Sequence, residues 1–201
     1  MANYSNIFVN EGLNYSEYRD LIVSLLEKGR STNDDNSEEM LNYTKLNIQR
    51  MSRIEKTAVL NDTLVEKIKN LKKHYHLLVI TEGWCGDAAQ IVPLFRQMTA
   101  ILPEKFDLRF VLRDKNLPLM DAHLTNGARS IPVLLVLDDA GGLVAKWGPR
   151  PAAAQEVLNQ WKATTSDRHV QSEKLHLWYS QDKTRATQEE LIMLVEKLEE
   201  A

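Results

Sequence analysis

The sequence predicts an α/β fold: a four-stranded mixed sheet flanked by helices, with helical extensions before and after it. Three observations carry this. Apolar residues recur at helical spacing through the first 75 positions, short apolar runs of β-formers replace them between 77 and 147, and helical spacing returns after Pro151.

Asn14 followed by Glu17 makes a capping pattern, and Tyr18, Leu21, Ile22, Leu25 and Leu26 then form an amphipathic stripe that Gly29 ends. The polar run S T N D D N S (31–37) is a loop. A second cap at Asn36 with Glu39 opens a helix with Met40, Asn47, Met51, Ile54 and Ala58 on one face. Leu64, Ile68, Leu71 and Tyr75 keep helical spacing, either as a separate helix or as a continuation.

The run L L V I T (77–81) reads as a strand buried on both faces, followed by a helix from Ala88 to about Ala100 that contains Pro93. F D L R F V L (106–112) alternates as a second strand, and residues 116–124 form a short helix. P V L L V L (132–137), the turn D D A G G and L V A K W (143–147) make a hairpin. Pro151 starts the next helix. Two parallel strands joined through a helix and followed by a hairpin build one sheet with helices on both faces. The tail holds L H L W Y (175–179) and the box T Q E E (187–190), which opens a final helix along Leu191, Leu194, Val195 and Leu198. Trp178 and Tyr179 are expected to cover the added helices against the sheet. The chain divides into a helical extension (1–61), a central domain (62–163) and a C-terminal helical extension (164–201) packed on it.

Composition narrows the function classes. A net charge of -3 gives no electrostatic reason for nucleic acid or an anionic membrane as partner. No window approaches the 18 uninterrupted apolar residues of a membrane span. One cysteine excludes an internal disulfide, and the first residues, M A N Y S N I F V N, lack a basic and apolar leader, so a cytoplasmic location is expected. His74 and His76 form an H-x-H pair with no carboxylate or cysteine at a matching ligand spacing; they read as helix-end histidines, and no metal or cofactor is expected.

The chemistry concentrates at I T E G W C G D A A Q I V P (80–93), around Cys85. W C G D A, Pro93 eight residues after Cys85, and the pair Ile131 and Pro132 at the head of a strand resemble the thioredoxin superfamily. The nearest likeness is to a bacterial subgroup with an added helical N-terminus and a W C G D motif. The resemblance spans roughly 64–163 and implies a thioredoxin-like fold, Cys85 at the N-terminus of a helix, and a cis proline at Pro132. It also implies a substrate surface of Trp84, Gly86, Asp87, Arg129, Ile131, Pro132 and Gly148. Three positions depart from the family pattern: Ala88 replaces the second cysteine, Asp87 the proline between the cysteines, and Val79 the buried acid.

These departures remove self-contained turnover, because Ala88 cannot resolve a mixed disulfide. What remains is a monothiol route, in which Cys85 attacks a mixed disulfide and an external thiol resolves it. Its partners would be protein thiols or mixed disulfides together with a low-molecular-weight thiol. The backbone of Ile131 would pair with an extended peptide, and Arg129 would either meet a carboxylate of the small thiol or stand as a solvated loop charge. The alternative is a redox-inactive binding module of the same fold. A helix N-terminus lowers a thiol pKa and Asp87 raises it, so the sign of the shift at Cys85 stays open. Whether the N-terminal helices cover this surface stays open as well.

Overall fold

A computed structural model describes residues 3–200. A four-stranded sheet in the order β2-β1-β3-β4 forms its centre, from β1 (Tyr75–Thr81), β2 (Phe106–Leu112), β3 (Val133–Leu137) and β4 (Leu143–Trp147). β1 runs parallel to β2 and antiparallel to β3, and β3 is antiparallel to β4. The two inner strands are the apolar ones, and Leu77 through Ile80 are fully buried, as a strand covered on both faces requires.

The helices before the sheet are α1 (Ser5–Asn10), α2 (Tyr15–Glu27), α3 (Glu38–Thr57) and α4 (Asp62–Asn70). α2 starts on the expected capping box, in which the Asn14 side chain accepts from the Glu17 N–H and the Glu17 side chain accepts from the Asn14 N–H. α3 begins one residue later than Asn36 and Glu39 suggested. Ser37 caps it, while the Asn36 side chain accepts from the Ser31 N–H and ties the loop (2.8 Å). α4 is a separate helix, and Tyr75 belongs to β1, where its hydroxyl donates to the Leu198 carbonyl at 2.7 Å.

Between and after the strands lie α5 (Gly86–Ile101), α6 (Leu117–Asp121), α7 (Ala152–Thr164), α8 (Arg168–Asp182) and α9 (Arg185–Glu200). α5 continues through Pro93. α9 starts two residues before the T Q E E box, so Thr187 is a buried helix residue and not a cap. Glu190 from that box instead accepts from the Trp147 indole N–H at 2.7 Å and from the Ala152 N–H at 2.6 Å, fastening α9 to β4 and α7.

Residues before the sheet meet the last helix. α4 packs on α9, and Gln188 accepts from the Asn61 N–H (2.6 Å) and donates to the Val59 carbonyl (3.1 Å). His74 and His76 stand at the start of β1, not at a helix end, and the sheet brings Asp107 and Asp139 beside them. Matching spacing along the sequence could not reveal those carboxylates, since they arrive on β2 and on the β3–β4 turn. No described helix is long and apolar enough to cross a membrane.

Candidate functional site

The turn from β1 into α5, Glu82 to Asp87, places Cys85 as the N-terminal cap of α5. Its sulfur accepts from the Ala88 N–H at 3.4 Å, and its thiol donates to the Ile131 carbonyl at 3.3 Å. The Ile131–Pro132 peptide is cis, and both residues are buried. Cys85 is only 7% exposed. Its pKa is pushed up to about 12, first by burial and next by the Asp87 charge, against which the Ala88 N–H and Arg150 act. The helix N-terminus therefore loses to desolvation at this thiol.

Asp87 is buried, and its charge is matched. Arg150 donates to Asp87 Oδ2 from Nε (3.1 Å) and Nη2 (2.5 Å), and the Tyr179 hydroxyl donates to Oδ1 at 2.6 Å. Burial, then Asp87, raise the Tyr179 pKa well above its ordinary value, so the phenol stays a donor. Arg150 is itself aligned by Gln155 Oε1, 2.6 Å from Nη1. The Tyr179 hydroxyl thus completes the cage around Asp87.

α8 lies directly over the turn. A Cβ on Gly86 would stand 2.7 Å from His176 Nε2, so only glycine admits the imidazole this close. His176 Nδ1 is 3.2 Å from Gln90 Nε2, and burial, then Arg50, lower its pKa to about 4. The ring is neutral near pH 7 and adds no charge beside the thiol.

On the other side Thr32, from the loop before α3, and Asn47 of α3 close over the same turn. Glu82 is completely buried; it accepts from the Thr32 hydroxyl and, at 2.9 Å, from the Asp114 N–H. Burial raises its pKa to about 7. The Asn47 side chain donates to the Gly83 carbonyl at 3.1 Å. So a buried acid is present, three residues before Cys85 instead of at Val79. The sequence signal for it was a carboxylate directly after an apolar strand and ahead of a tight turn.

Of the other expected surface residues, Trp84 is half-buried with the Arg113 guanidinium 4.7 Å above its ring. Gly148 has φ +119, and a Cβ there would stand 2.3 Å from the Pro132 carbonyl oxygen, which fixes glycine against the cis-proline loop. Arg129 is exposed and held by Asp121 through Nε (2.6 Å) and Nη2 (2.9 Å), in the bidentate geometry guanidinium favours. The cation that acts on Cys85 is Arg150.

A family model described as thioredoxin matches residues 33–162. No curated protein matches the chain. Among solved structures, a protein of unknown function from Pseudomonas aeruginosa aligns with a TM-score of 0.56 at 18% identity, covering 92% of this chain and 98% of its own. An HIV epitope-scaffold aligns with a TM-score of 0.52 at 17% identity, over 92% of this chain and 98% of its own. At such identities the likeness is one of fold.

Proposed function

The chain belongs to the thioredoxin family, and we propose that it acts as a binding module of that fold, recognising a protein partner without disulfide turnover at Cys85. The observation that carries this reading is the closure of the thiol: Cys85 is 7% exposed and donates to the carbonyl of Ile131. Disulfide exchange needs a thiolate with open approach to a disulfide sulfur. A pKa pushed up to about 12 leaves far less thiolate at pH 7 than the few per cent of an ordinary cysteine near 8.5. Ala88 then offers no resolving sulfur. In this reading Trp84 and Gly148 lie at the recognising surface, Cys85, Asp87, Ile131 and Pro132 shape it from below, and His176 covers Gly86.

Alkylation of the native chain as a function of pH tests the proposal. The expected result is an apparent pKa well above 8.5, labelling at pH 7 at least 100-fold slower than in the denatured chain, and no reduction of insulin disulfides. A partner retained equally by the wild type and by Cys85→Ser supports the binding reading. A native thiol titrating at or below 8.5, or a partner held only by the wild type and released by reductant, overturns it in favour of monothiol exchange.

A further inference from the structure

At the end of β1 remote from Cys85, four side chains converge that the thiol site does not use. His74 precedes β1, His76 lies within it, Asp107 is the β2 residue in register with His76, and Asp139 sits in the β3–β4 turn. His76 and Thr81 are five residue steps apart along β1, a rise of about 17 Å.

The hydrogen bonding of the cluster is incomplete in an informative way. Asp139 Oδ1 lies 2.6 Å from His74 Nδ1 and as a carboxylate can only accept, so Nδ1 is the donor and Nε2 is the nitrogen through which the neutral ring would bind a metal. Asp107 Oδ2 lies 3.6 Å from that Nε2 and 3.5 Å from His76 Nδ1. His76 Nδ1 is buried and makes no hydrogen bond. Separations of 3.5 and 3.6 Å are long for hydrogen bonds. They approach two edges of a ligand tetrahedron, about 3.3 Å for metal–ligand bonds of about 2.0–2.1 Å, and His74, His76 and Asp139 each bring one ligand atom within 4.8 Å of the others.

We propose that His74 Nε2, His76 Nδ1 and Asp107 bind a divalent transition-metal ion of the zinc type, with Asp139 orienting His74 from behind. A carboxylate on the far nitrogen of a metal-ligating imidazole fixes its tautomer and raises its basicity. Two imidazoles with a carboxylate suit zinc better than magnesium or calcium, which favour all-oxygen sites. The scaffold is firm: Asp138 accepts from the Ala140 N–H (2.9 Å) and the Gly142 N–H (2.8 Å) within the turn, and the Tyr4 N–H donates to the Gly141 carbonyl (2.9 Å). The Phe8 ring, 4.6 Å from the His76 ring, walls one side.

Calorimetric titration of the full, untagged chain with zinc chloride alone tests this. The expected result is one zinc per chain, with affinity reduced at least 100-fold in His76→Ala, about 10- to 100-fold in Asp139→Asn, and unchanged in His169→Ala. Circular dichroism checks each variant for folding, and His74→Ala serves in place of His76→Ala if the latter does not fold. Absence of binding at millimolar zinc, or equal binding by the wild type and a folded His74→Ala or His76→Ala, overturns the site. Neither result bears on Cys85, whose reactivity is read separately.

Discussion

Glu82 is a carboxylic acid that the fold buries completely. Its pKa of about 7 in the fold, against an ordinary 4.5, means the folded state holds the proton more tightly than the unfolded chain between those values. Stability from this group is therefore full below about pH 4.5, falls as pH rises through 7, and is flat above. A shift of this size corresponds to roughly 3 kcal/mol at pH 8. Glu82→Gln mimics the protonated acid, keeps an acceptor for the Asp114 N–H and can donate to Thr32. Urea unfolding is expected to show the variant more stable than the wild type at pH 8, by about 1–3 kcal/mol, and close to it at pH 5. His176, with its pKa lowered to about 4, shifts stability the opposite way over an overlapping window, because the unfolded chain binds its proton first. Comparing wild type and variant at each pH cancels that contribution.

α8 decides whether Cys85 is reachable, because it supplies both His176 over Gly86 and Tyr179 to Asp87. Gly86→Ala places a methyl group 2.7 Å from His176 Nε2 and forces the imidazole off the turn. Overpacking costs about 1–3 kcal/mol, and the better helix propensity of alanine returns up to about 1 kcal/mol. The expected outcome is a net loss of about 1–2 kcal/mol in denaturant unfolding, together with faster native labelling of Cys85. Unchanged labelling would show that α8 does not shield the thiol. In the sequence, L H L W Y (175–179) falls in the C-terminal helical extension with no helix of its own predicted, and its aromatics read as packing. That stretch gives no sign that positions 92 residues apart would share a hydrogen bond.

For the molecule as a whole, the segment before α3 is built into the core. Phe8, Tyr18 and Ile22 are buried in it, the Tyr18 hydroxyl lies 3.1 Å from Thr81 Oγ1, and Thr32 bonds Glu82. Exposing three such side chains costs on the order of 5–9 kcal/mol, comparable with the whole stability of a typical domain. Deleting residues 1–37 is expected to abolish cooperative unfolding by urea and the dispersion of amide NMR signals. A truncated chain that unfolds cooperatively with a dispersed spectrum would show that this segment is dispensable.

Local physics made much of this protein legible. Strand periodicity, turn chemistry and the Asn14 capping box act over a few residues, so β2, β4 and the start of α2 follow directly from the sequence, as does the position of Cys85 at a strand-to-helix turn. Its chemical state does not, because the thiol pKa depends on desolvation and on charges that only folding assembles: Asp87 with Arg150 and Tyr179, and α8 above them. The same holds for Glu82 beneath Thr32, and for His74 and His76, whose carboxylates come from two other strands' ends. Sequence alone determined the fold and the presence of one thiol at its usual place; tertiary packing decided that the thiol is closed, since burial outweighs the helix N-terminus at that sulfur.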